Sequence, residues 1–295
     1  MFLLIPGVGP IFFIFMSTIA LAKVVIAGLV PAIVIAIAMF AVHNVFVAMF
    51  LMHWVGMVVV AAIVTIHDKG VNGILWYSKY LGIQELLPIK GACAIYFTLG
   101  TVIPIVSYMI ISCRTINWGM CIGPVTENIA EYGFRDAPLW LVVCCAIYFP
   151  TVNPFIEEMF WRVFMNHEVS PLESEPASNE ESAILGDGEA SPSTMASTAS
   201  VEKLPHLEPL SLLNRVLFSA LYASYHTMVV GVFLGGFRFG ILAFFLLVAL
   251  GMVFQHIFAI NSVSRGFYQA VSLHVGVDLG AMIALGDAMG WYTLM

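Results

Sequence analysis

Glu157-Glu158-Met159-Phe160-Trp161-Arg162 closes a strongly apolar stretch of a 295-residue chain in which only 10% of residues are charged. Ionisable groups at membrane depth are costly, face a protein interior or a wet cavity, and mark functional sites by default. Glu158 and Arg162 stand four apart, so on a helix they share a face in the order that favours an ion pair. Glu157 then points about 100° away, a consequence of 3.6 residues per turn, and is left for other work. A buried carboxylate whose pKa comes near the operating pH is an effective general base.

Two further polar patches make the same demand. His226 follows Tyr222 by one turn, with Tyr225 beside it, and His274 precedes Asp278 by one turn. A lone intramembrane histidine ordinarily serves as hydrogen-bonding glue between helices. A same-face His–Asp pair can bind a metal, relay a proton or bond internally. Three such patches in so apolar a chain need one another to avoid lipid, which predicts that they share a polar interior.

The elements that must position them are membrane-spanning helices. The hydrophobic fraction is 61% and the mean hydropathy +0.97, whereas soluble domains are roughly 45–50% apolar. A span needs about 20 mainly apolar residues. The expected fold is therefore all-α, a polytopic transmembrane helical bundle of seven to nine spans, eight being the best single number, and the localisation is integral membrane. Residues 1–136 carry N-terminal spans, two or three of them before residue 66, and an interfacial amphipathic segment near 71–90, where Trp76, Tyr77 and Tyr80 accompany Lys79 and Lys90. The opening Met-Phe-Leu-Leu-Ile-Pro has no basic stretch and reads as a retained span rather than a cleaved signal. A span over 91–113 precedes a polar stretch from Arg114 to Asp136.

Residues 137–166 and 211–295 form the core that bears the three patches. Pro150 and Pro154 are expected to kink or end a helix before the glutamates, with Asn153 capping the next segment and Pro154 at its first position. Spans are expected at 212–230, 241–259 and 267–285, with Gly235-Gly236 as a turn. Gly276 with Gly280, and Gly286 with Gly290, are spaced for close backbone approach. Between the core segments, residues 167–210 hold nine carboxylates and one lysine, a net −8 that leaves +1 for the rest of a chain of net −7. Rich in Ser, Glu and Pro, this stretch reads as a disordered extramembrane loop, either a plain linker or a segment regulated by phosphorylation.

Other residues carry weaker signals. His43, His53 and His256 read as histidines at the membrane interface, and Lys23 as marking a helix end. The five cysteines read as small apolar side chains, without zinc-ribbon spacing. No Gly-rich phosphate loop, Gly-x-Ser-x-Gly elbow or His-Glu-x-x-His occurs, against nucleotide enzymes, serine hydrolases and zincins. Basic residues are too scattered for nucleic-acid binding. The lipid bilayer is the expected partner, and nothing in the chain specifies an oligomeric state.

In order and type, Glu157-Glu158-x-x-x-Arg162, Tyr222-x-x-x-His226 and His274-x-x-x-Asp278 resemble the motifs of the CPBP family of glutamic intramembrane proteases, which includes the type II CAAX prenyl endopeptidases. The resemblance covers residues 137–285. It implies that Glu157 polarises a water that His226 holds, that His274 and residue 278 stabilise an oxyanion, and that Glu158, Arg162 and Tyr222 support the site. It implies no cofactor and no metal, and a protein or prenylated-peptide substrate. Two positions depart from the family pattern. Asp278 stands where Asn is common, and an ionised carboxylate cannot donate to an oxyanion, so Asp278 either carries a proton or orients His274. Tyr222 stands where Phe is commoner. The alternatives are a catalytically inactive scaffold or chaperone of the same fold, and a transporter or metal-site membrane protein using Glu157, His226, His274 and Asp278 as ligands or proton relays.

Overall fold

A computed structural model describes residues 9–71, 73, 86–112, 130–134, 136–169, 210–233 and 237–290. The described residues form an all-α polytopic bundle, and seven helices among them are long and apolar enough to cross a membrane. That number lies within the expected seven to nine and is one below eight. Most of the stretch at 71–90 and all of 170–209 fall outside the described residues, as does the turn expected at Gly235-Gly236.

Helix α1 (Gly9–Phe40) is followed by α2 (Val45–Leu51), which Asn44 caps by accepting the Val47 N–H at 3.0 Å. Continuous with α2 are a π-helical stretch at Met52–Val59 and then α3 (Val60–Lys69), ended by Gly70 at φ +70°. Two crossings thus come from the first apolar block, Leu21–Phe40 and Val45–Lys69. Lys23 does not mark a helix end. It lies inside α1 because its ammonium has a partner, Asp68 of α3, at 2.5 Å.

Helix α4 (Leu86–Ile111) starts five residues before the expected 91. The next crossing is composite, made of α5 (Leu139–Thr151), α6 (Asn153–Glu158), a π-helical stretch at Met159–Phe164 and α7 (Met165–Val169). Helices α8 (Leu212–Phe233), α9 (Phe237–Ala259) and α10 (Val263–Ala288) complete the bundle. Each contains its expected span and runs past it by at most four residues at an end.

Helix α10 is the most buried crossing and packs along α4. A Cβ on Gly276 would collide with the Phe97 carbonyl oxygen, one on Gly280 with that of Thr101, and one on Gly100 with that of Leu273. Gly276 is two residues, about 200°, from both His274 and Asp278. One face of α10 therefore clasps α4 backbone to backbone while the opposite face carries the polar pair. Gly290, by contrast, meets nothing; at φ +73° it supplies the turn after α10. Gly276→Ala is expected to push α4 and α10 apart and cost about 1–3 kcal/mol, the usual range for overpacking. A thermal midpoint in detergent equal to wild type would contradict this contact.

Candidate functional site

The glutamates reach the interior because the helix does not break ahead of them. Val152 keeps helical backbone angles (φ −88°, ψ −41°), its N–H bonds the Tyr148 carbonyl at 2.8 Å, and the Ile156 N–H bonds the Val152 carbonyl at 3.2 Å. Pro150 is accommodated inside α5, and Pro154 in the first turn of α6, where a missing N–H costs little. Asn153 is therefore the first residue of α6 rather than its cap. Its side chain is buried and turned inward, and its amide donates to Asp278 Oδ2 at 2.7 Å.

Glu157 lies at the centre, on α6. Its Oε2 accepts the Tyr225 hydroxyl at 2.8 Å, and Tyr225 in turn accepts the indole N–H of Trp161 at 3.2 Å. The same Oε2 is 3.7 Å from His226 Nε2 and 3.6 Å from His274 Nε2. The carboxylate is 1% exposed, whereas the His226 side chain is 21% exposed, so the site opens on the His226 side. His226 Nδ1 lies 3.0 Å from the Tyr222 carbonyl. A carbonyl only accepts, so Nδ1 carries a proton and, in the neutral ring, Nε2 presents a lone pair toward Glu157.

His274 is oriented from behind. Its Nδ1 donates to Glu158 Oε1 at 2.8 Å, turning Nε2 toward Glu157 and toward Asp278 Oδ1, 3.7 Å away. Glu158 Oε2 is paired with Arg162 Nε at 3.2 Å, off-line for a hydrogen bond. The guanidinium lies between the rings of Tyr222 (4.8 Å) and Phe254 (4.6 Å), a cation–π seat that replaces lost hydration. Three buried carboxylates share the cluster with one guanidinium, so a cluster near neutrality, as burial demands, needs further protons on its imidazoles or carboxyls.

All seven residues singled out from the sequence, Glu157, Glu158, Arg162, Tyr222, His226, His274 and Asp278, thus meet in one interior cluster drawn from α6, the π-helical stretch after it, α8 and α10. Three further residues belong to the cluster. Asn153 bonds Asp278 in place of the expected cap. Tyr148 had no polar neighbour in sequence to mark it. His53 is not an interface histidine: it is fully buried and its Nε2 lies 3.4 Å from Glu157 Oε1. Its one sequence signal is an ionisable group at hydrocarbon depth, the argument that found the others. His43 and His256 are exposed at or near helix ends. Among the described residues no three His, Cys, Asp or Glu side chains are grouped to hold one metal ion.

Fold and site together define a multi-pass helical membrane protein with a buried acid–histidine centre. Compared with models of protein families, with curated proteins and with solved structures, the chain finds no match in any of the three.

Proposed function

We propose that this chain is an intramembrane glutamic endopeptidase in which Glu157 and His226 activate water. The observation that carries the reading is the convergence of two histidines and a tyrosine on a single carboxylate oxygen, Glu157 Oε2. Two acceptors 3.7 Å apart, Glu157 Oε2 and the His226 Nε2 lone pair, can share one water, which gives a hydrogen bond to each and keeps a lone pair for attack. Attack on a peptide carbonyl carbon transfers a water proton to Glu157 and forms a tetrahedral oxyanion. In its doubly protonated form, His274 offers Nε2–H to that oxyanion; loss of such a donor costs about 3–4 kcal/mol elsewhere. Collapse breaks the C–N bond, and the proton on Glu157 passes to the leaving amine. The second water proton leaves with the new acid, and the products are a carboxylate and an ammonium group once that proton exchanges.

The substrate proposed from the motif resemblance is a protein or peptide ending in a prenylated CAAX sequence, cut after its modified cysteine. The scaffold reading keeps one specific support: Asp278 Oδ2 accepts a hydrogen bond from Asn153, so that oxygen is engaged and is not itself an oxyanion donor. The deciding experiment incubates the purified full chain in nanodiscs, after exhaustive chelation, with a prenylated CAAX peptide in ¹⁸O-water. Release of the C-terminal tripeptide with ¹⁸O in the new carboxylate is expected. Absence of cleavage by folded protein, or cleavage that disappears on chelation and returns with added metal, would overturn the proposal.

A further inference from the structure

Glu157 is gripped at both oxygens, and the mechanism above uses only one. Oε2 faces Tyr225, His226 and His274, while Oε1 faces His53 Nε2 at 3.4 Å. Behind His53, the Tyr148 hydroxyl lies 3.3 Å from Nδ1, with the two rings 5.6 Å apart. We infer that His53, held by Tyr148, is a positioning residue that locks the Glu157 carboxylate in its reactive orientation, an inference that rests on the hydrolase reading.

One tautomer satisfies every contact. A carboxylate can only accept, so His53 must present Nε2–H to Oε1, and Nδ1 is then free to accept the Tyr148 hydroxyl proton. Both contacts are longer than the commonest hydrogen bonds, as catalytic contacts often are before substrate tightens them. The lock has work to do because the terminal torsion of a glutamate is broad and roughly two-fold. Held by Tyr225 alone, the carboxylate swings about one anchor; held at both oxygens, it keeps Oε2 between the two histidines.

The backbone supports the same assignment. His53 belongs to the π-helical stretch Met52–Val59, and the stretch Met159–Phe164, which follows Glu158, is π-helical too. Widened turns of this kind concentrate at functional sites, and here one bears His53 while the other directly follows the glutamate pair. A buried histidine serving only as interhelical glue would alter stability and leave the turnover of each folded molecule unchanged.

The test measures kcat and KM on the prenylated peptide, with thermal midpoints in parallel, for the wild-type chain and four variants. His53→Leu is expected to lower kcat by about 10²-fold, the scale of an angstrom-level misplacement, with KM unchanged. His53→Gln, whose amide N–H falls near the position of Nε2, restores most of that loss. Tyr148→Phe lowers kcat several-fold by freeing the tautomer. An unchanged kcat in His53→Leu, or no recovery in His53→Gln, overturns the inference. Should His53→Leu fail to fold, an unchanged kcat in Tyr148→Phe overturns it equally. A wild type inactive on every peptide removes the hydrolase reading and the lock with it. A wild type that Glu157→Gln silences but the His53 and Tyr148 variants do not removes the lock alone.

Discussion

Glu157→Gln reduces peptide hydrolysis by about 10²–10⁴-fold, the usual contribution of a positioned general base. The substitution keeps the size of the side chain and removes its capacity to take a proton. An amide oxygen in place of Oε2 still accepts the Tyr225 hydroxyl, now 2.8 Å away. The amide nitrogen then faces His53, which can exchange tautomers and donate from Nδ1 to the Tyr148 oxygen. Folding is therefore expected to survive, and the loss should appear in kcat with the thermal midpoint near that of wild type. Residual rate comes from His226, His274 and substrate positioning. A Glu157→Gln variant within tenfold of wild type would assign the base elsewhere, and a biological role untouched by the change would favour the scaffold reading.

Glu158→Gln destabilises the fold by about 3–5 kcal/mol, because it leaves a buried guanidinium without its counter-charge. Arg162 has no hydrogen-bonding partner among the described residues. Its support is the Glu158 charge at 3.2 Å and the faces of Tyr222 and Phe254. The glutamine oxygen can still accept from His274 Nδ1, so the expected loss isolates the charge. Adding Arg162→Met removes the stranded cation, and the double variant is expected to recover most of the stability, since buried ion pairs replaced by apolar groups are often neutral or better. Unfolding in mixed micelles measures both. A Glu158→Gln variant within about 1 kcal/mol of wild type, the scale of a screened surface pair, would show that the pair is solvated in the membrane.

Much of the architecture was legible along the chain. Hydropathy located the crossings, and Gly70 closed the first apolar block, with His67, Asp68 and Lys69 before it, where α3 ends. The pair Gly276 and Gly280 marked the face of α10 that meets α4. Spacing of four found Glu158 with Arg162, Tyr222 with His226 and His274 with Asp278, because a helix brings those positions together whatever surrounds it. Where reading along the chain failed, the reason is a partner far away in sequence. Lys23 sits inside a helix because Asp68 lies 45 residues on. Asn153 forgoes capping because Asp278 lies 125 residues on.

Sequence alone determined that this protein is a bundle of apolar helices with three polar faces, since burial and helical periodicity are local properties that composition and spacing carry directly. Tertiary structure decided that those faces close on one carboxylate, that His53 and Tyr148 back its second oxygen, and that α10 can turn its histidine inward because its glycines clasp α4. Those outcomes depend on which helices pack together and at what distance, which is set by side chains 68 to 125 residues apart and lies beyond what local spacing can fix.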